Sequence, residues 1–268
     1  MKYPRTPHLE GSRLQPGDED LNQIPYADLA GKYIVVEEKL DGANSGIRFS
    51  PEASLLLQSR GHYLTGGARE KHFALMKTWA AAHEETLFDL LGARFQMYGE
   101  WMACKHTVFY DHLPHYFLEF DVYDFQEDCF LSTKARNDLI GDAPILPVPV
   151  LYEGIAPRRL QDLLELIRPS LAKTPGWRGV LRSLAERQNL DADRVLAETE
   201  NGDLAEGLYI KIEEDGKTVG RLKWVRAGFL QAISSSDSHW LSRPIIPNQL
   251  APGVDLYAPR LSVRWRNS

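Results

Sequence analysis

Three short strand signals in the first sixty residues, each followed closely by a turn, most constrain what this chain can build. They run from Tyr33 to Lys39, from Ser45 to Phe49 and from Ser54 to Gln58, with Asp41-Gly42 and Ser50-Pro51 between them. Glycine and proline interrupt regular backbone at those points, so the spacing predicts an antiparallel meander. An apolar stripe of Phe73, Met76, Trp79, Ala80, Leu87 and Leu91 then predicts a helix from Ala68 to Leu91. Two more strands are expected at Phe95 to Met102 and His115 to Tyr123, and Ser132-Thr133 is expected to cap a short helix ending near Gly141.

A proline-rich stretch (Pro144, Pro147, Pro149) leads into a helical region from Arg158 to about Glu200, where Leu160, Leu163, Leu164 and Ile167 have helical spacing. It reads as an insertion between sheet elements, at 156–200. Leu204 to Ile212 and Val219 to Val225 then predict a hairpin around Asp215-Gly216. The polar opening segment, rich in proline and glycine and ending in Asp18-Glu19-Asp20, is expected to be irregular. The resulting division is an irregular segment at 1–30, a catalytic-type domain at 31–227 and a short basic extension at 228–268.

Length and composition, 268 residues with 43% hydrophobic and 25% charged, are those of a globular protein able to bury a large core. No apolar run is long enough for a membrane span and the N-terminus lacks a signal-peptide core, so a cytoplasmic protein with no membrane partner is expected. Two cysteines, Cys104 and Cys129, are too few for a disulfide framework and read as reduced thiols. The net charge of −6 is unevenly placed. Residues 217–268 carry eight lysines and arginines against two aspartates, a net of +6, so the remainder carries −12. Such an end either holds a phosphate chain or is a solvated basic tail.

Lys39-Leu40-Asp41-Gly42 carries the most chemistry. It sets a lysine at the end of the run Tyr33-Ile34-Val35-Val36-Glu37-Glu38 and follows it with an acid and a glycine. A lysine attacks phosphorus only as the neutral amine, and its free pKa is about 10.4. A buried strand end among other cations would lower that value, and Gly42 would let the backbone turn beside a ligand. The predicted hairpin adds to this. With Asp215-Gly216 as a two-residue turn, Ile210 lies opposite Arg221, Leu208 opposite Lys223 and Glu206 opposite Val225, so Glu206, Arg221 and Lys223 share a face. A carboxylate beside two cations suits a metal-bridged phosphate site, or else a cross-strand salt bridge. In this register Lys211 faces away from Glu206.

The series Lys39-Leu40-Asp41-Gly42, Tyr98-Gly99-Glu100, Leu118-Glu119-Phe120-Asp121-Val122-Tyr123, Glu206-Gly207-Leu208-Tyr209-Ile210-Lys211 and Arg221-Leu222-Lys223 resembles the ordered motifs of covalent nucleotidyltransferases, the polynucleotide ligases and messenger-RNA capping enzymes. Within that superfamily the chain is most similar to ATP-dependent RNA ligases of the phage nick-sealing type and their bacterial relatives. Ala103-Cys104-Lys105-His106-Thr107, the stretch from Tyr110 to Phe117, and Trp224-Val225-Arg226 through His239-Trp240 and Arg243-Pro244 extend the likeness, which covers about residues 30–245.

The resemblance implies an α+β fold: a nucleotidyltransferase (adenylyltransferase) core of antiparallel sheets flanked by helices, with a helical insertion and no separate OB-fold domain. It implies that Lys39 attacks the α-phosphate of ATP and holds AMP. The AMP then passes to an RNA 5′-phosphate, which a 3′-hydroxyl joins. Arg221 and Lys223 would hold the α-phosphate and Glu206 would place Mg2+ or Mn2+. Phe120 would stack on adenine, although on chemistry alone it is equally a core aromatic. Glu100 and Arg60 would contact the ribose. Glu38 and Asn44 would line the nucleotide pocket with Leu40 and Asp41, and Lys211 would be a lesser phosphate contact. The implied partners are RNA with 5′-phosphate and 3′-hydroxyl ends and an end-processing protein.

Two departures stand out. Arg221 occupies a position that is usually lysine in the phage-type ligases, and only about forty residues follow Trp224, too few for the β-barrel domain of DNA ligases and capping enzymes. DNA ligase or capping-type chemistry and a non-catalytic adenylate-binding subunit of an RNA repair complex are the alternatives. His106, His112 and His115 with Asp111 match no common zinc spacing and read as loop or sheet-edge residues rather than a metal site. Arg158, Arg159, Arg178, Arg182 and Arg187 read as solvated helix faces or, less simply, a docking surface.

Overall fold

The structure, a computed structural model, describes residues 1–14, 18, 22–229 and 244–265. Its strands are β1 (His8–Leu9), β2 (Gln23–Ile24), β3 (Tyr33–Lys39), β4 (Ala43–Phe49), β5 (Leu55–Ser59), β6 (His62–Tyr63), β7 (Phe95–Trp101), β8 (Phe117–Asp124), β9 (Cys129–Leu131), β10 (Leu146–Pro147), β11 (Val150–Ile155), β12 (Gly207–Glu214) and β13 (Lys217–Val225). Its helices are α1 (Ala74–Ala82), α2 (Glu84–Leu91), α3 (Thr133–Ile140), α4 (Leu160–Leu164), α5 (Trp177–Arg187) and α6 (Ala192–Ala197). The result is a sheet-rich mixed fold. The expected strands form close to their predicted bounds, and Ser132 caps α3 by accepting the Ala135 N–H. The region between β11 and β12 is helical, as α4, α5 and α6. The likeness that runs through His239-Trp240 and Arg243 lies outside the described residues, as does Arg266.

The pairing overturns the simple meander. The strands join in the order β11-β3-β12-β13-β9-β8-β7-β4-β5-β6, so β3 and β4, adjacent in sequence, belong to different halves. Of the three strands expected to meander, β4 and β5 pair, and β6 continues them. The Asp41-Gly42 turn is therefore a crossing from one half to the other rather than a hairpin. Gly42 is needed there because a Cβ would lie 2.5 Å from Met102 Sδ and 3.0 Å from the Trp101 carbonyl, a close approach to the end of β7 that no side chain permits.

Alternation along β3 and β12 then separates two environments. Ile34, Val36, Leu208, Ile210 and Ile212 fill one core with Leu9, Leu29, Leu163 and Leu222. A larger core packs Ile47, Phe49, Met97 and Phe117 from the other half-sheet against Met76, Trp79, Leu87 and Leu91 of the helices. The single helix expected over 68–91 is broken: 68–73 is a 3-10 turn, and His83 ends α1 and starts α2, its Nε2 meeting the Leu256 carbonyl at 2.9 Å. A third, smaller cluster gathers around Trp177 between α5 and α6.

The hairpin also differs in register. Glu213 pairs with Thr218 but Ile212 pairs with Gly220, so Val219 is an extra residue and every pair beyond it moves by one. Lys211 lies opposite Arg221 and Tyr209 opposite Lys223. The expected pairs Ile210 with Arg221, Leu208 with Lys223 and Glu206 with Val225 are thus corrected: Glu206 precedes the paired strand, and Lys211 shares the face of both cations instead of turning away. Periodicity alone cannot reveal a one-residue bulge, because the strand reads the same on either side of it.

Candidate active site

The half-sheet of β3, β12 and β13 turns Glu37, Lys39, Lys211, Arg221 and Lys223 to one face, since Tyr209 pairs with Glu37 and Gly207 with Lys39. Gly207 fits because a Cβ there would lie 1.9 Å from the Trp224 carbonyl. Just before it, Glu206 reaches Lys39, with Nζ to Oε1 at 2.8 Å. Burial alone would lower the Lys39 pKa, but Glu206, and then Glu100 and Asp41, hold it above the ordinary lysine value. The expected depression by neighbouring cations is therefore reversed: carboxylates surround this amine and keep it charged.

From the other half, Asn44 of β4 pairs with Glu100 of β7, and Arg60 follows β5 at φ 49°, its N–H donating to the Asn44 carbonyl. Burial pushes the Glu100 carboxyl up to about 8, with Lys39 opposing and Asp41 and Glu206 adding to the rise. Glu38 is pushed up to about 7, again by burial, against hydrogen bonds from Ser170 and the Leu171 N–H. Glu38 Oε1, Asn44 Oδ1, Glu100 Oε2 and Arg221 Nη2 are buried without a hydrogen-bond partner. Buried polar atoms of both signs without partners are what a pocket for a polar, charged ligand requires.

A stability prediction follows from the two raised carboxyls. Their folded pKa values lie above the ordinary glutamate value of 4.5, so the folded state binds more protons than the unfolded one from about pH 4.5 to pH 8. Their contribution is complete below that window and is lost as pH rises through about 7 and about 8. The ligand-free protein is expected to melt at progressively lower temperature from pH 5 to pH 9, and Glu100→Gln to flatten the decline. Equal slopes for the variant and the parent would refute this account.

The remaining expected residues are divided in their roles. Leu40 is buried in the main core. The Asp41 carboxylate accepts the Thr107 and Val108 N–H groups at 2.7 and 2.8 Å, while its own N–H donates to the Tyr110 hydroxyl. Both shape the turn after Lys39. Lys211 is fully buried, paired with Glu37 at 3.0 Å and Asp121 at 3.3 Å, and it donates to the Phe120 carbonyl. Arg221 binds Asp121 at 3.0 Å and lies 3.5 Å over the Phe130 ring. Lys223 meets the Asp18 carboxylate. Phe120 packs edge-on against Tyr3, ring centres 5.2 Å apart.

The sequence reading missed a buried network behind these groups. Arg136 of α3 donates to both Glu119 oxygens at 2.9 Å and to Glu37 at 2.7 Å, with all three side chains inaccessible. The available signal was Glu119 and Asp121 two apart in the fully buried β8, which puts two acids on one face and demands cations opposite. Part of the basic C-terminal balance is internal: Arg221, Lys223 and Arg226 form ion pairs with acids of the same chain.

His115 accepts the Phe117 N–H at Nδ1 and burial drives its pKa down to about 4. Asp111 accepts the Thr174 N–H at 2.7 Å. Among the described residues no three His, Cys, Asp or Glu side chains gather as a metal group. Arg159, Arg178 and Arg182 form exposed pairs with Asp162, Asp203 and Asp193. Both cysteines are free thiols. Among the described residues no helix is long and apolar enough to cross a membrane.

Comparison with known proteins adds to this geometry. The family described as RNA ligase matches residues 32–225. No curated protein sequence matches the chain. Among solved structures the chain is similar to a point mutant of Naegleria gruberi RNA ligase with ATP and Mn, at 17% identity over 85% of this chain and 56% of that one, TM-score 0.51. A second mutant of the same protein with ATP and Mn gives 18% identity over 75% and 52% of the two chains, TM-score 0.48. The chain spans about half the length of these structures, and at such identity the first likeness shows a shared fold.

Proposed function

The chain belongs to the RNA ligase family, and on that premise we propose that it is an ATP-dependent RNA ligase acting through a lysyl-AMP intermediate. The observation that carries this reading is Lys39 at the end of β3, 2.8 Å from Glu206, on the face that also presents Arg221 and Lys223. This reading takes the two half-sheets as a nucleotidyltransferase core, whose orphaned polar atoms suit a nucleotide.

In the first step the neutral Lys39 amine forms an Nζ–P bond to the α-phosphate of ATP, and the bond to the bridging oxygen breaks to release pyrophosphate. Arg221 and Lys223 offset the charge that develops on the phosphoryl oxygens. Glu100 and Arg60 meet the ribose, Phe120 the base, and Glu38 and Asn44 the pocket wall. Lys211, already neutralised by Glu37 and Asp121, positions Asp121 and hence Arg221, while Leu40 and Asp41 set the turn that aims Lys39. Glu206 is the residue to hold Mg2+ or Mn2+. That cation, when bound, would take over the carboxylate charge that keeps Lys39 protonated and would help neutralise the phosphates. AMP then moves to an RNA 5′-phosphate, and a 3′-hydroxyl displaces it to close the phosphodiester. An end-processing partner would supply ends of that kind.

The test is incubation with ATP or GTP labelled at the α-phosphate, with magnesium or manganese, followed by denaturing electrophoresis and intact mass. Label from ATP alone, absent from Lys39→Ala, is expected. Label from GTP would favour capping chemistry. Neither label nor pre-formed adenylate in the intact mass would overturn the proposal and leave an adenylate-binding role.

A further inference from the structure

Tyr3 lies beside the nucleotide pocket, and the reaction above does not use it. The chain is anchored just before it. The Met1 carbonyl accepts from Gln58 Nε2 at 3.0 Å, Gln96 Nε2 at 3.1 Å and the Tyr98 hydroxyl at 2.8 Å. On β7, Gln96, Tyr98 and Glu100 alternate onto one face, so this anchor adjoins the pocket carboxyl. From there Tyr3 reaches both half-sheets. Its ring packs edge-on against Tyr98 and Phe120, with ring centres 4.9 and 5.2 Å away, and its hydroxyl meets Asp121 of β8 and Tyr209 of β12. An irregularity in β8 puts two of these partners side by side. Tyr98 pairs with Asp121 but Gly99 pairs with Glu119, so Phe120 is an extra residue, and a bulge of that kind re-aims side chains.

The hydroxyl decides how Asp121 holds Arg221. Burial, and then the Asp121 charge, keep the Tyr3 pKa well above the ordinary tyrosine value, so the hydroxyl retains its proton and donates. Burial alone would raise the Asp121 carboxyl, but Lys211 and then Arg221 hold it below the usual range. Its two oxygens are divided between partners. Oδ1 lies 3.3 Å from Lys211 Nζ, while Oδ2 accepts the Tyr3 hydroxyl and, at 3.0 Å, Arg221 Nε. An arginine and a carboxylate commonly join through two parallel bonds. Here Arg221 donates through Nε, and its Nη2 is buried without a hydrogen-bond partner among the described residues. A chain of hydroxyls fixes the arrangement. With its own proton on Asp121, the Tyr3 oxygen accepts from Tyr209, whose oxygen lies 3.2 Å from the Thr6 hydroxyl. Loss of the Tyr3 hydroxyl would free Oδ2 to turn onto Nη2 and close the fork.

We propose that Tyr3 is a positioning residue of the nucleotide site, with separate duties for its two ends. The hydroxyl keeps Asp121 on Arg221 Nε, so that Nη2 stays open to a phosphate oxygen, and the ring braces Phe120 beneath the base. The proposal rests on the ligase reading for the identity of the ligand. Tyr3 acts through Asp121 and Phe120 and touches no reacting atom.

The test uses the full chain, stripped of any bound adenylate with pyrophosphate, and calorimetric titration with adenosine and with α,β-methylene-ATP, which cannot transfer AMP. Tyr3→Phe keeps the ring. It is expected to bind α,β-methylene-ATP about tenfold more weakly or worse, as for a lost hydrogen bond to a charged group, with adenosine affinity unchanged. Tyr3→Ala is expected to weaken adenosine as well, by about three- to tenfold, because the edge-to-face contact is gone. A role in folding alone would weaken both probes together. The split between them, and the recovery of adenosine binding from Tyr3→Ala to Tyr3→Phe, is therefore the signature of positioning. Tyr3→Phe that binds both probes like the parent, or loses both equally, overturns the proposal, and this variant decides the matter if Tyr3→Ala does not fold. A parent that binds neither probe overturns the ligase reading and the proposal with it, a result distinct from any difference between parent and variant.

Discussion

Lys39→Ala is expected to abolish self-adenylylation and all ATP-dependent joining, a loss of several orders of magnitude because no other group on that face replaces the nucleophile. Lys39→Arg should fare no better, since a guanidinium keeps its proton. Structure adds a second arm. Glu206 is the principal group raising the Lys39 pKa, so Glu206→Gln should make the lysine more reactive toward amine reagents at pH 8 while adenylylation falls. The pH dependence of acylation at Lys39, read by peptide mass, measures the first effect, and intact mass after ATP measures the second. A variant that both acylates and adenylylates like the parent would remove Glu206 from the site. Retained joining by Lys39→Ala would remove the mechanism altogether.

Arg136→Met is expected to destabilise the fold by about 3–5 kcal/mol, the range for a buried ion pair that loses one partner. Arg136 holds Glu119 and Glu37 together at 2.7–2.9 Å, and its removal leaves Glu119 buried and charged with no hydrogen-bonded cation. Glu37 keeps Lys211, but Lys211 also holds Asp121, the partner of Arg221. The loss should therefore reach the phosphate-binding side chains, and the surviving folded protein should bind pyrophosphate less tightly. Urea unfolding with an unchanged m-value would measure the stability change. A drop below about 1 kcal/mol would mean that the acids relax or take up protons at little cost. Lys134→Ala in the same helix breaks only the exposed pair with Asp138 and should change nothing measurable.

Much of the site was legible from residue type and spacing. A lysine followed by Leu-Asp-Gly at the end of an apolar run and two cations two apart on the second hairpin strand retain their local settings in the structure, whereas Glu206, expected within the first hairpin strand, stands one residue before it. Leu40 and Asp41, expected at the ligand, instead pack in the core and hold backbone N–H groups respectively. Adjacency in sequence does not say which way a side chain points once the chain crosses between half-sheets. Lys211 was ranked low for a related reason, the unseen bulge at Val219.

What the sequence by itself determined is local: strand alternation, caps, turns and the order of motifs all depend on neighbours within a few residues, where periodicity and backbone preference act. The tertiary structure alone decided which strands meet, and with that the charge state of every functional group. It set Glu206 against Lys39 across two strands, Asp121 against Lys211 and Arg221, and Asp18 against Lys223 over 205 positions of chain. Such pairings depend on distance and desolvation in the folded protein. No spacing along the chain encodes either one.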